Sequence, residues 1–184
     1  MGHGAIEGGA RMIRRATDRD LDAVEWAYDE HFRHEEIHGA FTVFKKGVYP
    51  TRRDAQSALD SGTLYVYEED GDLLGSIIVD AVQPEEYRDI TWGEPLREDE
   101  VMVIHLLMVR PCAAGRGIGS ALVRYAVELA RARPCRALRL DTGSQNVPAV
   151  SLYKKSGFRI VAAAPMKVGG ALAHREHLFL ERPL

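Results

Sequence analysis

The sequence predicts an α/β domain, and three observations indicate this class. Residues 101–109 form a nearly unbroken apolar run that is rich in β-branched side chains and too short to span a membrane, which is typical of a strand buried on both faces. A glycine-rich turn at residues 115–120 leads from this run into apolar residues at helical spacing. Asp70-Gly71 lies between two further apolar runs and is a strong hairpin signal.

The elements before the central run follow from local signals. Residues 1–11 are glycine-rich and predict a flexible extension, so we expect one domain over residues 12–184. Residues 12–16 predict a first strand, and residues 17–20 supply the cap and acidic first turn of a helix. A second helix is predicted to begin at residues 51–54 and to end at Gly62. The hairpin strands are expected at residues 64–68 and 73–81.

The elements after the central run complete the domain. Residues 137–142 predict the next strand, and Asn146 caps a short helix that ends at Gly157. Residues 158–164 and 176–181 predict a closing antiparallel pair, joined by a loop at residues 166–173.

Composition excludes several classes of function. The chain has 184 residues and a formal net charge of −3. It therefore has no excess of basic residues, and no nucleic-acid partner is expected. No apolar run approaches the ~20 residues of a membrane helix, so no membrane partner is expected. The two cysteines, Cys112 and Cys135, are too few for a disulfide framework, which predicts a cytoplasmic location.

The turn at residues 115–120 predicts a phosphate site. Glycines allow close approach of the backbone, the first amides of a helix lack partners within it, and the helix dipole adds about half a positive charge. A P-loop would need a lysine before Ser120, and none is there. A dinucleotide fold is an alternative, because Asp141 ends the next predicted strand and could hold a ribose. However, Ser120 replaces that motif's third glycine, and five residues separate Val109 from Gly115.

The same turn resembles motif A of the GNAT superfamily of acetyl-CoA-dependent N-acetyltransferases, usually written Q/R-x-x-G-x-G/A. Gly117 and Gly119 stand at the two glycine positions, and Ala114 takes the place of the usual glutamine or arginine. Residues 146–158 are similar to the family's N-x-x-A-x-x-L-Y-x-x-x-G-F pattern. The two stretches have the order and spacing that the family shows.

This resemblance implies the GNAT fold, which is a central mixed twisted β-sheet flanked by helices on both faces, with acetyl-CoA as the co-substrate. In the family, a bulge splays the strand before the turn, and free amides of that strand pair with the pantetheine and the thioester carbonyl. The cofactor-binding residues that the resemblance implies here are Leu107, Met108, Val109, Gly115, Arg116, Gly117, Ile118, Gly119, Ser120 and Asn146.

Two titratable side chains are the candidate catalytic residues. His105 is the one titratable residue within the apolar strand, and an unperturbed histidine pKa of ~6.5 suits removal of a proton from an alkylamine with a pKa of ~10.4. The strand also resembles that of arylalkylamine N-acetyltransferases, where a histidine takes this place. The alternative is a core histidine, with Glu100 or solvent as the base. Tyr153 matches the family's usual general acid, which protonates the leaving thiolate.

Residues 34–38 spell H-E-x-x-H, the zinc motif of many metalloproteases. Gly39 would end the helix at once, and no clear third ligand follows. We therefore expect no metal and interpret the segment as a polar helix end that faces the acceptor site.

The sequence thus predicts an enzyme that moves an acetyl group from acetyl-CoA to a primary amine by direct attack in a ternary complex. The acceptor is expected to be a small molecule or a peptide, and the sequence leaves a homodimer open. The alternatives are an acyl-CoA-binding sensor with the same fold, a transferase for another acyl group, and a nucleotide-binding oxidoreductase.

Overall fold

The structure is a computed structural model, and it describes residues 10–184. The extension predicted over residues 1–11 therefore lies outside the described residues apart from its end, where Arg11 begins the first strand. Among residues 10–184, none of the helices combines the length and the hydropathy that a membrane span requires.

Strands and helices occur in the predicted order. The strands are β1 (Arg11–Arg15), β2 (Leu64–Glu69), β3 (Asp72–Asp80), β4 (Val101–Val109), β5 (Ala137–Gly143), β6 (Arg159–Val168) and β7 (Leu172–Pro183). The helices are α1 (Leu21–His38), α2 (Arg52–Asp60), α3 (Ile118–Arg131) and α4 (Val147–Lys155).

Local hydrogen bonds explain where three of the helical segments begin. The Asp20 carboxylate accepts from the Thr17 backbone amide at 2.7 Å, in a 3₁₀ turn that leads directly into α1. The Thr51 amide donates to Asp54 in the same way at 2.7 Å, which starts α2. The Asn146 side chain accepts from the Ala149 amide at 3.2 Å and caps α4.

The strands form one mixed sheet in the order β1-β2-β3-β4-β5-β7-β6. The pair β4–β5 is parallel, and the other neighbouring pairs are antiparallel. The apolar residues of α3 pack on one face of the sheet, and those of α1 and α2 pack on the opposite face. The predicted α/β class, with a central mixed sheet and helices on both faces, is confirmed.

The closing strand pair differs from the prediction. Residues 166–168 and 172–173 were expected in a loop, but they belong to β6 and β7, and the turn between these strands covers residues 169–171. Gly169 and Gly170 adopt φ angles of 58° and 71°. Two adjacent glycines permit this tight left-handed turn, so the strands continue almost to the glycines themselves.

A bulge in β4 opens the sheet. Ile78 of β3 lies opposite Leu106 and Val79 lies opposite Ile104, so His105 between them is the extra residue. The pairing of β4 with β5 ends at Ile104, while β4 stays paired with β3 up to Val109. Beyond this point β4 and β5 separate, and a wedge-shaped opening begins at His105.

Candidate active site

The opening between β4 and β5 leads into a cavity of about 510 Å³. It is bounded by β4, the turn before α3, the start of α4, the loop after α1, and β7. Most of the residues that the sequence predicted for the site line it: His105, Leu107, Met108, Val109, Gly115, Gly117, Ile118, Gly119, Ser120, Asn146 and Tyr153. Residues from two distant motifs therefore meet in one cavity.

The amides of β4 alternate between its two neighbours. The Arg110 amide donates to the Leu74 carbonyl of β3 at 2.9 Å. Hydrogen-bonded pairs alternate along an antiparallel ladder, so the Met108 amide also faces β3, whereas the amides of Leu107 and Val109 point into the opening. Two donors are thereby left free along the strand edge.

A second set of free donors lies where α3 begins. The Ala121 amide donates to the Gly117 carbonyl at 3.0 Å, which is the first bond of this helix. The three preceding amides, of residues 118–120, have no partner within the helix and carry its positive dipole end. Gly117 holds the helix start in place with a φ of 80°. We call the backbone of residues 115–120 the phosphate cradle; within it the Arg116 amide already donates to the Ala113 carbonyl at 3.4 Å.

Arg116 is the one predicted cofactor residue that does not line the cavity. Its guanidinium lies 2.7 Å from the Glu69 carboxylate at the end of β2. Glu69 is also paired with Arg11 at 3.1 Å. The Arg116 side chain is thus held against the hairpin, and only its backbone belongs to the cradle.

His105 is paired with a carboxylate across the sheet. Its Nε2 lies 2.7 Å from Oδ1 of Asp80, the last residue of β3. Both side chains are about one-fifth exposed, at 23% and 22%. Asp80 Oδ1 also accepts from the Val82 amide at 2.7 Å, which fixes the carboxylate. The contact with Asp80 occupies Nε2 of His105. The other ring nitrogen, Nδ1, belongs to a residue that lies at the fork of β4 and β5.

Tyr153 reaches the cavity from α4. Its ring packs edge-on against Phe158 with the centroids 5.8 Å apart, and the residue is 6% exposed. Burial raises the pKa of Tyr153, so the phenol stays protonated and can act as a donor. Glu100, the alternative base, lies outside the cavity. It accepts from the Arg97 amide at 2.9 Å in the 3₁₀ turn before β4.

Residues 41–44, after α1, form an apolar wall of the cavity. Glu35 holds this wall in place, because its carboxylate accepts from the amides of Phe41 and Thr42 at 3.0 and 2.7 Å. Its second oxygen accepts from the Thr42 hydroxyl at 3.0 Å. The central glutamate of the H-E-x-x-H motif is therefore a buried anchor for the loop.

The two histidines of that motif lie one turn apart at the end of α1, with ring centroids 4.3 Å apart. The helix ends at His38, as Gly39 predicts. Across residues 10–184, no group of three or more histidine, cysteine, aspartate and glutamate side chains is arranged to hold a metal ion.

Sequence reasoning missed a polar cluster behind the fork. Asp141 of β5 lines the cavity, and its Oδ1 accepts from the Tyr87 hydroxyl at 2.9 Å. Its Oδ2 lies 3.3 Å from Nε2 of His177 on β7. His177 in turn contacts His174, with 2.8 Å between the two Nδ1 atoms. The carboxylate at the end of a predicted strand was a visible signal, but in the sequence it suggested only a ribose contact.

Comparison with known proteins gives consistent matches. The model of the Acetyltransferase (GNAT) family matches residues 21–158. An uncharacterised N-acetyltransferase of Methanocaldococcus jannaschii is 30% identical over 152 residues, which are 79% of this chain and 59% of that protein. The streptothricin acetyltransferase of Escherichia coli is 27% identical over 154 residues, 81% of this chain and 79% of that protein.

The fold also matches a solved structure. The crystal structure of a GNAT family acetyltransferase from Streptococcus agalactiae superimposes with a TM-score of 0.79 at 20% identity, and the match covers 95% of each chain. This likeness concerns the fold.

Proposed function

The chain belongs to the GNAT acetyltransferase family, and from this premise we propose that it transfers an acetyl group from acetyl-CoA to a primary amine. One observation carries the proposal: the free amides of β4, the phosphate cradle, His105 and Tyr153 all line one cavity. The acetyl-CoA supplies the activated thioester. The residues of this chain bind and orient the two substrates and transfer protons.

The cradle and β4 are assigned to cofactor binding. The unpartnered amides of residues 118–120 suit the pyrophosphate, since each donates to an anion and the helix dipole adds to the attraction. The inward amides of Leu107 and Val109 suit the amide groups of pantetheine and the thioester carbonyl. The absence of a side chain at Gly119 supports the fit of the cofactor to this site. A Cβ there would lie 3.1 Å from Leu152 and would narrow the space between α3 and α4.

His105 and Tyr153 are assigned to proton transfer. An alkylammonium with a pKa of ~10.4 is neutral in only about one molecule in a thousand at pH 7, so a base raises the rate. We assign this role to Nδ1 of His105, with Asp80 holding the ring through Nε2. The amine nitrogen forms a bond to the carbonyl carbon and the carbon–sulfur bond breaks. The Tyr153 hydroxyl gives its proton to the leaving thiolate, the nitrogen releases its second proton to solvent, and Tyr153 regains a proton from solvent.

The acceptor is assigned to the side of the cavity formed by residues 41–44. An amine on a small molecule or on a peptide fits this assignment, and the streptothricin acetyltransferase is a relative named for a small-molecule acceptor.

A cytoplasmic location is part of the proposal and is supported by the two free cysteines, Cys112 and Cys135.

Thermal unfolding with added ligands tests the cofactor. Acetyl-CoA and CoA should each raise Tm, because a ligand that binds only the folded state stabilises it, whereas NAD and NADP should leave Tm unchanged. Release of free CoA thiol with a panel of primary amines then tests turnover. Stabilisation by NADP alone would favour an oxidoreductase. Stabilisation by acetyl-CoA without turnover of any amine would favour a sensor.

A further inference from the structure

The cavity contains one partly buried carboxylate that forms no ion pair with any described lysine or arginine. Asp141 follows Leu140, the last residue of β5 that pairs with β4, so it lies at the fork close to His105. Its side chain is 15% exposed. Among the described residues that line the cavity, Asp141 is the only aspartate or glutamate.

The neighbours of Asp141 do not neutralise it. Tyr87 donates one hydrogen bond from an uncharged hydroxyl. Burial lowers the pKa of His177 to about 4, so that ring is neutral at pH 7. Within residues 10–184, no lysine or arginine forms an ion pair with Asp141. A buried charge without a counter-ion is unfavourable, and burial accordingly raises the pKa of Asp141 to about 6.

The cavity wall beside this carboxylate is apolar. Val43, Phe44 and Val168 belong to one apolar cluster that also contains Phe179 of β7, and the first three line the cavity. A ligand that enters from this side meets hydrocarbon and aromatic surface first and a single negative charge at the fork. This arrangement is complementary to one cationic group on an apolar body.

We propose that Asp141 binds the ammonium group of the acceptor, and that the acceptor is a monocationic amine carried by an apolar group. The inference rests on the proposed acetyl transfer and adds a binding residue and a substrate class to it. Asp141 holds the nitrogen beside His105, which removes its proton, and Tyr87 and His177 are positioning residues for the carboxylate. A polyamine carries further ammonium groups, and the described residues that line the cavity include no second aspartate or glutamate to bind them.

Protonation of Asp141 should abolish this binding. The titratable groups that face it are Tyr87 and Glu86 from a 3₁₀ turn at Glu85–Asp89 between β3 and β4, His105 from β4, His177 from β7, Tyr153 from α4 and Tyr49 from the loop before α2. Burial opposes the charged form of Asp141 most strongly, the hydrogen bond from Tyr87 and the interaction with His105 favour it, and Glu86 opposes it. Since an alkylamine stays protonated throughout, its affinity should fall as the pH drops below about 6.

Calorimetric titration of phenethylamine into the protein saturated with CoA tests the proposal. Asp141→Asn keeps the shape of the side chain and removes the charge, and it should weaken phenethylamine binding about 100-fold while CoA affinity is unchanged. Asp89→Asn, at an exposed carboxylate outside the cavity, is the control for net charge and should bind like wild type. Spermidine should bind wild type much more weakly than phenethylamine.

The melting temperature separates this role from a structural one. Without ligands at pH 7, Asp141→Asn should melt higher than wild type, because it removes a largely desolvated charge that has no counter-ion. A lower Tm together with lost amine binding would assign Asp141 to structure and overturn the proposal. Equal phenethylamine affinity in wild type and Asp141→Asn, or spermidine binding as tight as phenethylamine, would overturn it as well.

Two measurements do not depend on the folding of Asp141→Asn. In wild type, the pH series of phenethylamine affinity should show the loss below about pH 6. Tyr87→Phe removes a donor to the carboxylate and should move this loss to higher pH. A flat profile in both proteins contradicts the proposal. Absence of CoA binding in wild type would instead refute acetyl transfer itself, so the two failures are distinguishable.

Discussion

Replacing Gly117 by alanine tests the phosphate cradle with little disturbance of the rest of the protein. Gly117 has a φ of 80°, and a Cβ built on it would meet no atom within 4 Å. An L-residue in this left-handed region costs about 1–2 kcal/mol. For a domain of this size, 1 kcal/mol corresponds to about 2–4 °C, so Gly117→Ala should lower Tm by about 2–8 °C.

Gly71→Ala is the matched control for this backbone strain. Gly71 has a φ of 84° in the turn between β2 and β3, and a Cβ there would also meet no atom within 4 Å. It lies outside the cavity. The two variants should therefore lose similar amounts of stability in a thermal scan.

CoA affinity should separate the two variants. Relief of the strain at residue 117 rotates the peptide groups that lead into α3, and one hydrogen bond to a charged group contributes about 1.5–3 kcal/mol. Calorimetry should find CoA binding weakened about 10- to 100-fold in Gly117→Ala and unchanged in Gly71→Ala. Equal CoA affinity in the two variants at similar Tm would refute the assignment of the cradle.

Three further predictions concern proton transfer, metal and acid stability. His105→Ala should lower kcat/KM about 100-fold or more with CoA affinity retained, and higher pH should partly restore its rate by supplying neutral amine, whereas Tyr153→Phe should lower kcat without such rescue. Full activity of His105→Ala across the pH series would make His105 a core residue. Purified protein should carry no stoichiometric zinc at residues 34–38 in a metal analysis, and a chelator should leave turnover unchanged. The hydrogen bond from Arg14 lowers the pKa of Asp20 from 3.8 to about 2. This shift stabilises the folded state at pH values above 3.8, and the stabilisation is lost as the pH falls from 3.8 to about 2. Asp20→Asn should therefore cost about 2 kcal/mol in urea unfolding at pH 7 and almost nothing at pH 2; an equal loss at both would contradict the ion pair.

Helix starts and turns could be predicted from the sequence because their causes are local. A capping side chain and its amide lie within three residues of each other, as in Thr51–Asp54 and Asn146–Ala149, so helix starts could be predicted. The turn before α3 was predictable for the same reason, since it needs only glycines directly before a helix, and its binding of phosphate stays a prediction. The extent of β6 and β7 was missed because strand length depends on pairing with a distant partner, and only the turn glycines are a local signal.

The contacts between titratable groups could not be predicted, because they depend on how distant strands pair. Residues 101–109 are apolar on both faces of the strand, so the sequence shows no alternation that could reveal the bulge at His105. After this bulge the side chains of β4 change faces. Met102 packs with α3, whereas Met108 packs with α1. His105 pairs with Asp80, 25 residues earlier, and Tyr87 bonds to Asp141, 54 residues later. Such pairs depend on strand register, and register is set by the packing of whole sheet faces, which no short stretch of sequence contains.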